Sequence, residues 1–244
     1  MSACSDNSKA PNMQSLTTVL RNLAQKATSQ ITVNSLLCIT KLHTCSWFVN
    51  TKALAAIHEA INESTNSDNI ALSLLNNEPI YFLPAYSNSS THKHSSLCDM
   101  YIKLVYMICE IEQESGIFHM NDQQFSDFVL SNTSSALYKL VSSLRGLLDS
   151  ICAMALDIEF CSKYKLYIHT FCLLSKTATK VNYMCCKILD YLGTFSRDSE
   201  SISTLIKEYE PFNREFCKEM NKMRQKIGLP FTNILAFNPK KQEI

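Results

Sequence analysis

The residues best suited to chemistry stand together between His92 and Cys98, in the order His-x-His-x3-Cys with His94 between them. Two imidazoles and a thiolate are zinc-type donors, and this spacing lets all three reach one ion. A fourth ligand is missing, however, and no second pair of matched spacing occurs in the chain. The expectation is a solvated polar loop. Cys185 and Cys186 adjoin; on a helix they face different ways and serve better as small buried hydrophobes. Cys38 and Cys45 can share a helix face with His43 nearby. A nucleophilic cysteine also needs a placed base and an oxyanion site, and no motif marks either.

His119 follows Gly116 in a turn, and His169 lies beside Ile168 on an amphipathic stretch. An imidazole can act as a general base near neutral pH, but isolated histidines more often cap, pack or face solvent. No Gly-x-Ser-x-Gly elbow, Gly-x4-Gly-Lys loop or His-Glu-x-x-His pair occurs, so serine-hydrolase, phosphate-loop and zinc-protease chemistry lack their marks. Paired carboxylates with the Glu-x-x-His spacing of di-iron bundles are also absent. The acidic triplet Glu110, Glu112 and Glu114 reads as the solvated end of its helix. Catalytic, metal and cofactor sets are all expected to be empty, and the chain is expected not to be an enzyme.

The elements that position these residues read as helices. Hydrophobic residues make up 46% of the 244 and charged residues 18%, a globular balance. Only four glycines occur, at 116, 146, 193 and 228, too few for a sheet protein rich in tight turns. From Leu137 the apolar positions run Leu140, Leu144, Leu147, Ile151, Met154 and Ile158 at alternating spacings of three and four, a heptad seam that Thr133 or Ser134 can cap. A second seam runs from Tyr164 through Tyr167, Phe171, Leu174, Ala178, Val181, Cys185 and Ile188 to Leu192, with Gly193 expected to stop it. A third carries Ile202, Leu205, Tyr209, Phe212, Phe216, Met220, Met223 and Ile227; Gly228 and Pro230 should end it, and Pro211 should kink or divide it. Upstream, Leu97 to Ile111 marks a helix closed by Gly116, with shorter helical stretches near Leu16 to Ala27, Leu36 to Leu42, Ala53 to Ile61 and Ile70 to Leu75. The fold class is all-α: an antiparallel multi-helix bundle with long heptad-patterned helices in the C-terminal half.

Residues 1–12 read as a flexible polar tail, 13–230 as one helical-bundle domain with a subdivision at the 79–96 loop as the alternative, and 231–244 as a second tail. A net charge of +1 gives no field to gather polyanions, so nucleic acid is not an expected partner. No apolar stretch reaches the roughly 18 residues of a membrane span. With no apolar run after Met1 and an odd count of eleven cysteines, the expected setting is the reducing cytoplasm. The basic end, Lys222, Arg224, Lys226, Lys240 and Lys241, makes the nucleus the alternative.

These readings point to a helical protein-protein interaction or scaffold protein. Its partner is another protein or a second copy of itself, met through anchors at helical spacing. Ile202, Leu205, Tyr209 and Phe216 are the partner-binding candidates, weighed against plain core. One alternative is a carrier or enzyme for a small apolar ligand, with Tyr164, Tyr167, Phe171 and His169 lining an inter-helix cavity. Another is a homodimer closed through an apolar helix face.

Overall fold

A computed structural model describes residues 9–42, 46–78, 89–158, 164–195 and 200–230, together with Ile234 and Phe237. The described residues form α1 (Met13–Ala24), α2 (Lys26–Leu42), α3 (Trp47–Glu63), α4 (Ser67–Leu75), α5 (Ser89–Ser115), α6 (Asp122–Ser131), α7 (Ser134–Ile158), α8 (Lys165–Phe195) and α9 (Glu200–Lys226), with no strand among them. The all-α, multi-helix reading holds. None of these helices is long and apolar enough to cross a membrane.

The chain divides into two compact units. Unit 1 comprises Met1–His119 and Phe160–Leu173, and unit 2 comprises Met120–Glu159 and Leu174–Ile244. The divisions fall between residues 119 and 120, between 159 and 160 and, within α8, between 173 and 174.

In unit 1, α3 packs on α1, α2, α4 and α5. Val49, Ala53, Leu54, Ala56, Ile57 and Ile61 are buried, as helix burial on all sides requires. The same helix also buries the polar side chains of Asn50, Thr51, Lys52 and His58. Successive contacts fix its direction against α5. Trp47 meets His94 and His58 meets Tyr101, so the residue numbers rise together and the two helices run parallel.

In unit 2 the seams close on one another. Leu137, Leu144, Leu147, Ile151, Leu174, Ala178, Val181, Cys185, Ile188 and Leu192 are all fully buried. Asn182 meets Tyr209 and Asn213 while Ser175 meets Arg224, so α8 and α9 are antiparallel. Arg145 meets Glu208 and Phe212, whereas Cys152 lies near Cys217 and Glu219; α7 and α9 therefore run parallel. The antiparallel bundle read from the sequence thus describes successive helices, with the first and third of this trio codirectional.

The ends follow from capping chemistry. Thr133 Oγ1 accepts from Ala136 N (3.3 Å) at the start of α7. Asn121 and Gln124 form a reciprocal capping box at α6. Gly116 (φ 64°) follows α5 and Gly228 (φ 74°) follows α9, both in the left-handed region that a Cβ disfavours.

Three expectations need correction. Residues 89–96 are not loop but the opening turns of α5. His94, Leu97, Cys98 and Tyr101 are buried at helical spacing, which carries the stripe beyond the apolar run visible in the sequence. Residues 79–88 lie outside the described set. Gly193 does not stop α8, which continues to Phe195; burial of Leu189 and Leu192 outweighs the roughly 1 kcal/mol that a helical glycine costs. Pro211 does not divide α9, a single helix over 27 residues.

Candidate functional site

The group that most resembles catalytic machinery joins three separate segments of unit 1. Ser67 opens α4, Glu112 stands in the last turn of α5, and His119 follows the turn at Gly116. The Ser67 hydroxyl donates to Glu112 Oε1, and His119 Nδ1 lies 3.0 Å from the same oxygen and 2.9 Å from Ser67 Oγ. Phe118 N donates to the other carboxylate oxygen at 2.8 Å. A Ser-His-acid relay needs the serine and the acid on opposite ring nitrogens. Here both address Nδ1, and the serine proton points to the acid. The group is therefore a structural knot: a buried carboxylate gathers donors from α4, the turn and the histidine. It corrects the reading of Glu112 as solvated, since Glu112 is 1% exposed.

A second buried set surrounds His58, fully inside unit 1 with Nδ1 3.0 Å from the Tyr101 hydroxyl. Burial, with His169 nearby, depresses its pKa to about 3. Burial lowers His169 and His94 as well. These imidazoles are held neutral, which suits packing and hydrogen bonding more than proton transfer near pH 7.

The metal reading of His92, His94 and Cys98 finds no support in the side chains described. His94 lies nearly coplanar with Tyr167 (interplanar 7°), its Nδ1 3.0 Å from the Tyr167 hydroxyl. The Trp47 indole stacks on both rings, at 4.3 and 4.8 Å, while Tyr164 stands edge-on. Cys98 is buried, and burial together with Asp99 pushes its thiol up to about 12. The side chain of His92 lies outside the described set, as do His43 and Cys45. Among the described residues no cluster of three or more metal-ligating side chains occurs. The aromatic cluster also bears on the carrier alternative: Tyr167 is 1% exposed and Phe171 fully buried, and the Tyr167 hydroxyl already meets His94.

Cys185 and Cys186 are buried free thiols. Burial raises Cys185 to about 12 and Cys186 further, away from the thiolate that reactivity needs.

A different kind of site lies in unit 2. Ile202, Leu205, Tyr209 and Phe216 are all buried within it, so in this chain they form part of the core of α9. Around Tyr209, however, the core turns polar. The Tyr209 hydroxyl donates to Asn182 Oδ1 at 2.9 Å, and Asn213 Nδ2 donates to the same oxygen at 2.5 Å. With Asn182 Oδ1 accepting both, the Asn213 amide is fixed in one orientation and its own oxygen points elsewhere. That oxygen accepts the backbone N–H of Phe237 at 2.8 Å. The Phe237 ring meets Tyr209 edge-on, with centroids 5.7 Å apart. Ile234 and Phe237 are both buried, and Arg224 binds the Pro230 carbonyl and Ser175 Oγ (2.8 and 2.6 Å) where the chain leaves α9. The Cys217 thiol also reaches Asn213 Oδ1, at 3.9 Å, so the seat consists of one oriented amide oxygen shared with a thiol and one aromatic edge.

Sequence reasoning singled out Tyr209 but missed Asn182, Asn213 and Phe237. The available signal was Asn213 itself, a polar residue four after Tyr209 and three before Phe216, on the core stripe. Large apolar side chains also remain exposed on α2. Ile31 and Leu42 share with the exposed Cys38 one face at spacings of seven and four.

The fold and this seat define the class no more narrowly than an all-helical, multi-helix protein. No protein-family model matches the chain, and no curated protein is similar to it.

Proposed function

We propose that this chain is a non-enzymatic protein-protein interaction protein that holds short apolar segments of other proteins against α8 and α9. The observation that supports this is the seat at Asn213 and Tyr209, where Phe237 is held as a peptide ligand would be: through its backbone N–H and one large side chain. Backbone hydrogen bonding gives affinity with little dependence on sequence, and a pocket for one side chain adds selection. The chemical groups elsewhere agree with a binding role, since Ser67, Glu112 and His119 serve one another and the buried thiols are kept protonated.

The reading is tested with a fluorescein-labelled peptide copying residues 229–240, titrated into the full chain carrying Ile234→Ala and Phe237→Ala. Circular dichroism first confirms that the variant keeps its helix content. Saturable anisotropy with a Kd of about 10–100 µM is expected, and adding Asn213→Leu should abolish it. Failure to saturate by about 1 mM, only about 4 kcal/mol of binding, would sink the reading.

A further inference from the structure

A second surface, on α2 in unit 1, shares no residue with the seat. One side of α2 is buried through Val33, Leu36 and Leu37, with Ser29 and Thr40. A helix packed on one side ordinarily turns a polar face to solvent. On α2 the opposite side is instead a second seam: Ala27, Ile31, Asn34, Cys38 and Leu42 recur at spacings of four, three, four and four, and all are exposed. Asn34 is its one polar member, since a free cysteine packs as a small hydrophobe. Ile31 is 68% exposed and Leu42 80%.

We propose that this seam is covered by α2 of a second copy of the chain, running antiparallel about a twofold axis between residues 34 and 35. Size, hydrogen bonding and charge all fit that occupant. The register sets Ala27 against Leu42 of the second copy and Ile31 against Cys38, small against large each time. Asn34 meets Asn34 at the centre. Its Oδ1 accepts from Asn77 Nδ2 at 3.1 Å, and its own N–H₂ is left to donate across the axis. Between Lys26 and Lys41, α2 bears no charge. Lys41 is paired with the exposed Glu78 at 2.8 Å, so antiparallel pairing brings Lys26 of one copy toward Glu78 of the other. The opposed helix dipoles add to this attraction. A parallel copy would set Leu42 on Leu42, Cys38 on Cys38 and Lys26 beside Lys26. A helix of 17 residues is about 25 Å long, and two such faces cover on the order of 1,000 Å² in total, the size of a weak, reversible interface.

The test is sedimentation velocity of the reduced full chain over a concentration series, beside an Ile31→Lys, Leu42→Lys variant. Both side chains are exposed, so the variant keeps its helices, which circular dichroism verifies. Wild type is expected to dimerise with a Kd of about 10–100 µM, and the variant to be monomeric throughout. Wild type that stays monomeric at about 1 mM overturns the second copy as occupant. A dimer that the two lysines leave intact overturns α2 as its interface. The register is read separately, by oxidising an Ile31→Cys chain with diamide and mapping the covalent dimer by mass spectrometry. Residues 31 and 38 of one helix lie about 10 Å apart, too far for a disulfide within one chain. A link from position 31 of one copy to Cys38 of the other supports the antiparallel register. A Cys38 to Cys38 link, or a dimer without the 31 to 38 link, overturns it.

Discussion

Replacing Glu112 by alanine is expected to destabilise unit 1 by about 3 kcal/mol, the cost of orphaning several buried donors at once. The Glu112 carboxylate accepts from the Ser67 hydroxyl, His119 Nδ1 and Phe118 N. Ser67 and Phe118 are themselves fully buried, so water cannot readily take the place of the lost acceptor. Each abandoned donor costs about 1–3 kcal/mol, and the sum is reduced because the carboxylate no longer has to be desolvated. Glu112→Gln keeps the shape and one acceptor oxygen but turns an N–H₂ toward a donor, and should fall between alanine and wild type. Urea unfolding followed by Trp47 fluorescence reads the effect. Trp47 is the one tryptophan of the chain and is packed inside unit 1 on His94 and Tyr167. A loss under about 1 kcal/mol would be no more than an ordinary single hydrogen bond, and the knot would not be what joins α4 to α5.

The second large effect is a dependence on pH. In the folded chain His58 titrates near 3, whereas in the unfolded chain it returns to about 6.5. Between these values the unfolded state holds one more proton, so unit 1 gains stability as pH rises, by about 1.4 kcal/mol per pH unit. Acidification from pH 6.5, where the unfolded imidazole is half protonated, to pH 4.5 therefore removes about 2.3 kcal/mol through this residue alone. His94 and His169, lowered by burial, act in the same direction. His58→Asn places an amide where Nδ1 meets Tyr101 and cannot be protonated in this range. The variant should thus lose most of the His58 slope while staying within about 1 kcal/mol of wild type at pH 7. Identical pH profiles for the two chains, measured by Trp47 fluorescence in urea, would contradict a buried neutral His58.

What the sequence revealed of this fold was what repeats locally. The seams from Leu137, Tyr164 and Ile202 are legible because an apolar residue recurs every three or four positions on each; most of those residues are buried, with Leu140, Tyr164, Phe212 and Ile227 half-buried. Gly116 and Gly228 are legible because a left-handed residue after a helix needs glycine. The first turns of α5 were hidden because His94 and Ser95, though polar, are buried; only the packing of Trp47 and Tyr167 makes His94 a core residue. Glu112 was hidden for a related reason. Its donors come from Ser67 and from Phe118 and His119, and no local pattern ties residue 67 to residue 112. In the third seam, stepping from Tyr209 to Phe212 passes over Asn213, whose partners Asn182 and Phe237 are far along the chain. Long-range polar pairing leaves no periodic trace.

The seating of Phe237 is tested most directly by hydrogen exchange at its amide in the wild-type chain, followed by NMR. With that N–H held by Asn213 Oδ1, exchange is expected to be at least about ten-fold slower than in the free 229–240 peptide. An excess of that peptide in trans, or Asn213→Leu, should abolish the protection. Exchange at the free-peptide rate in the untreated wild-type chain would contradict an occupied seat and remove the main support for a peptide-binding protein.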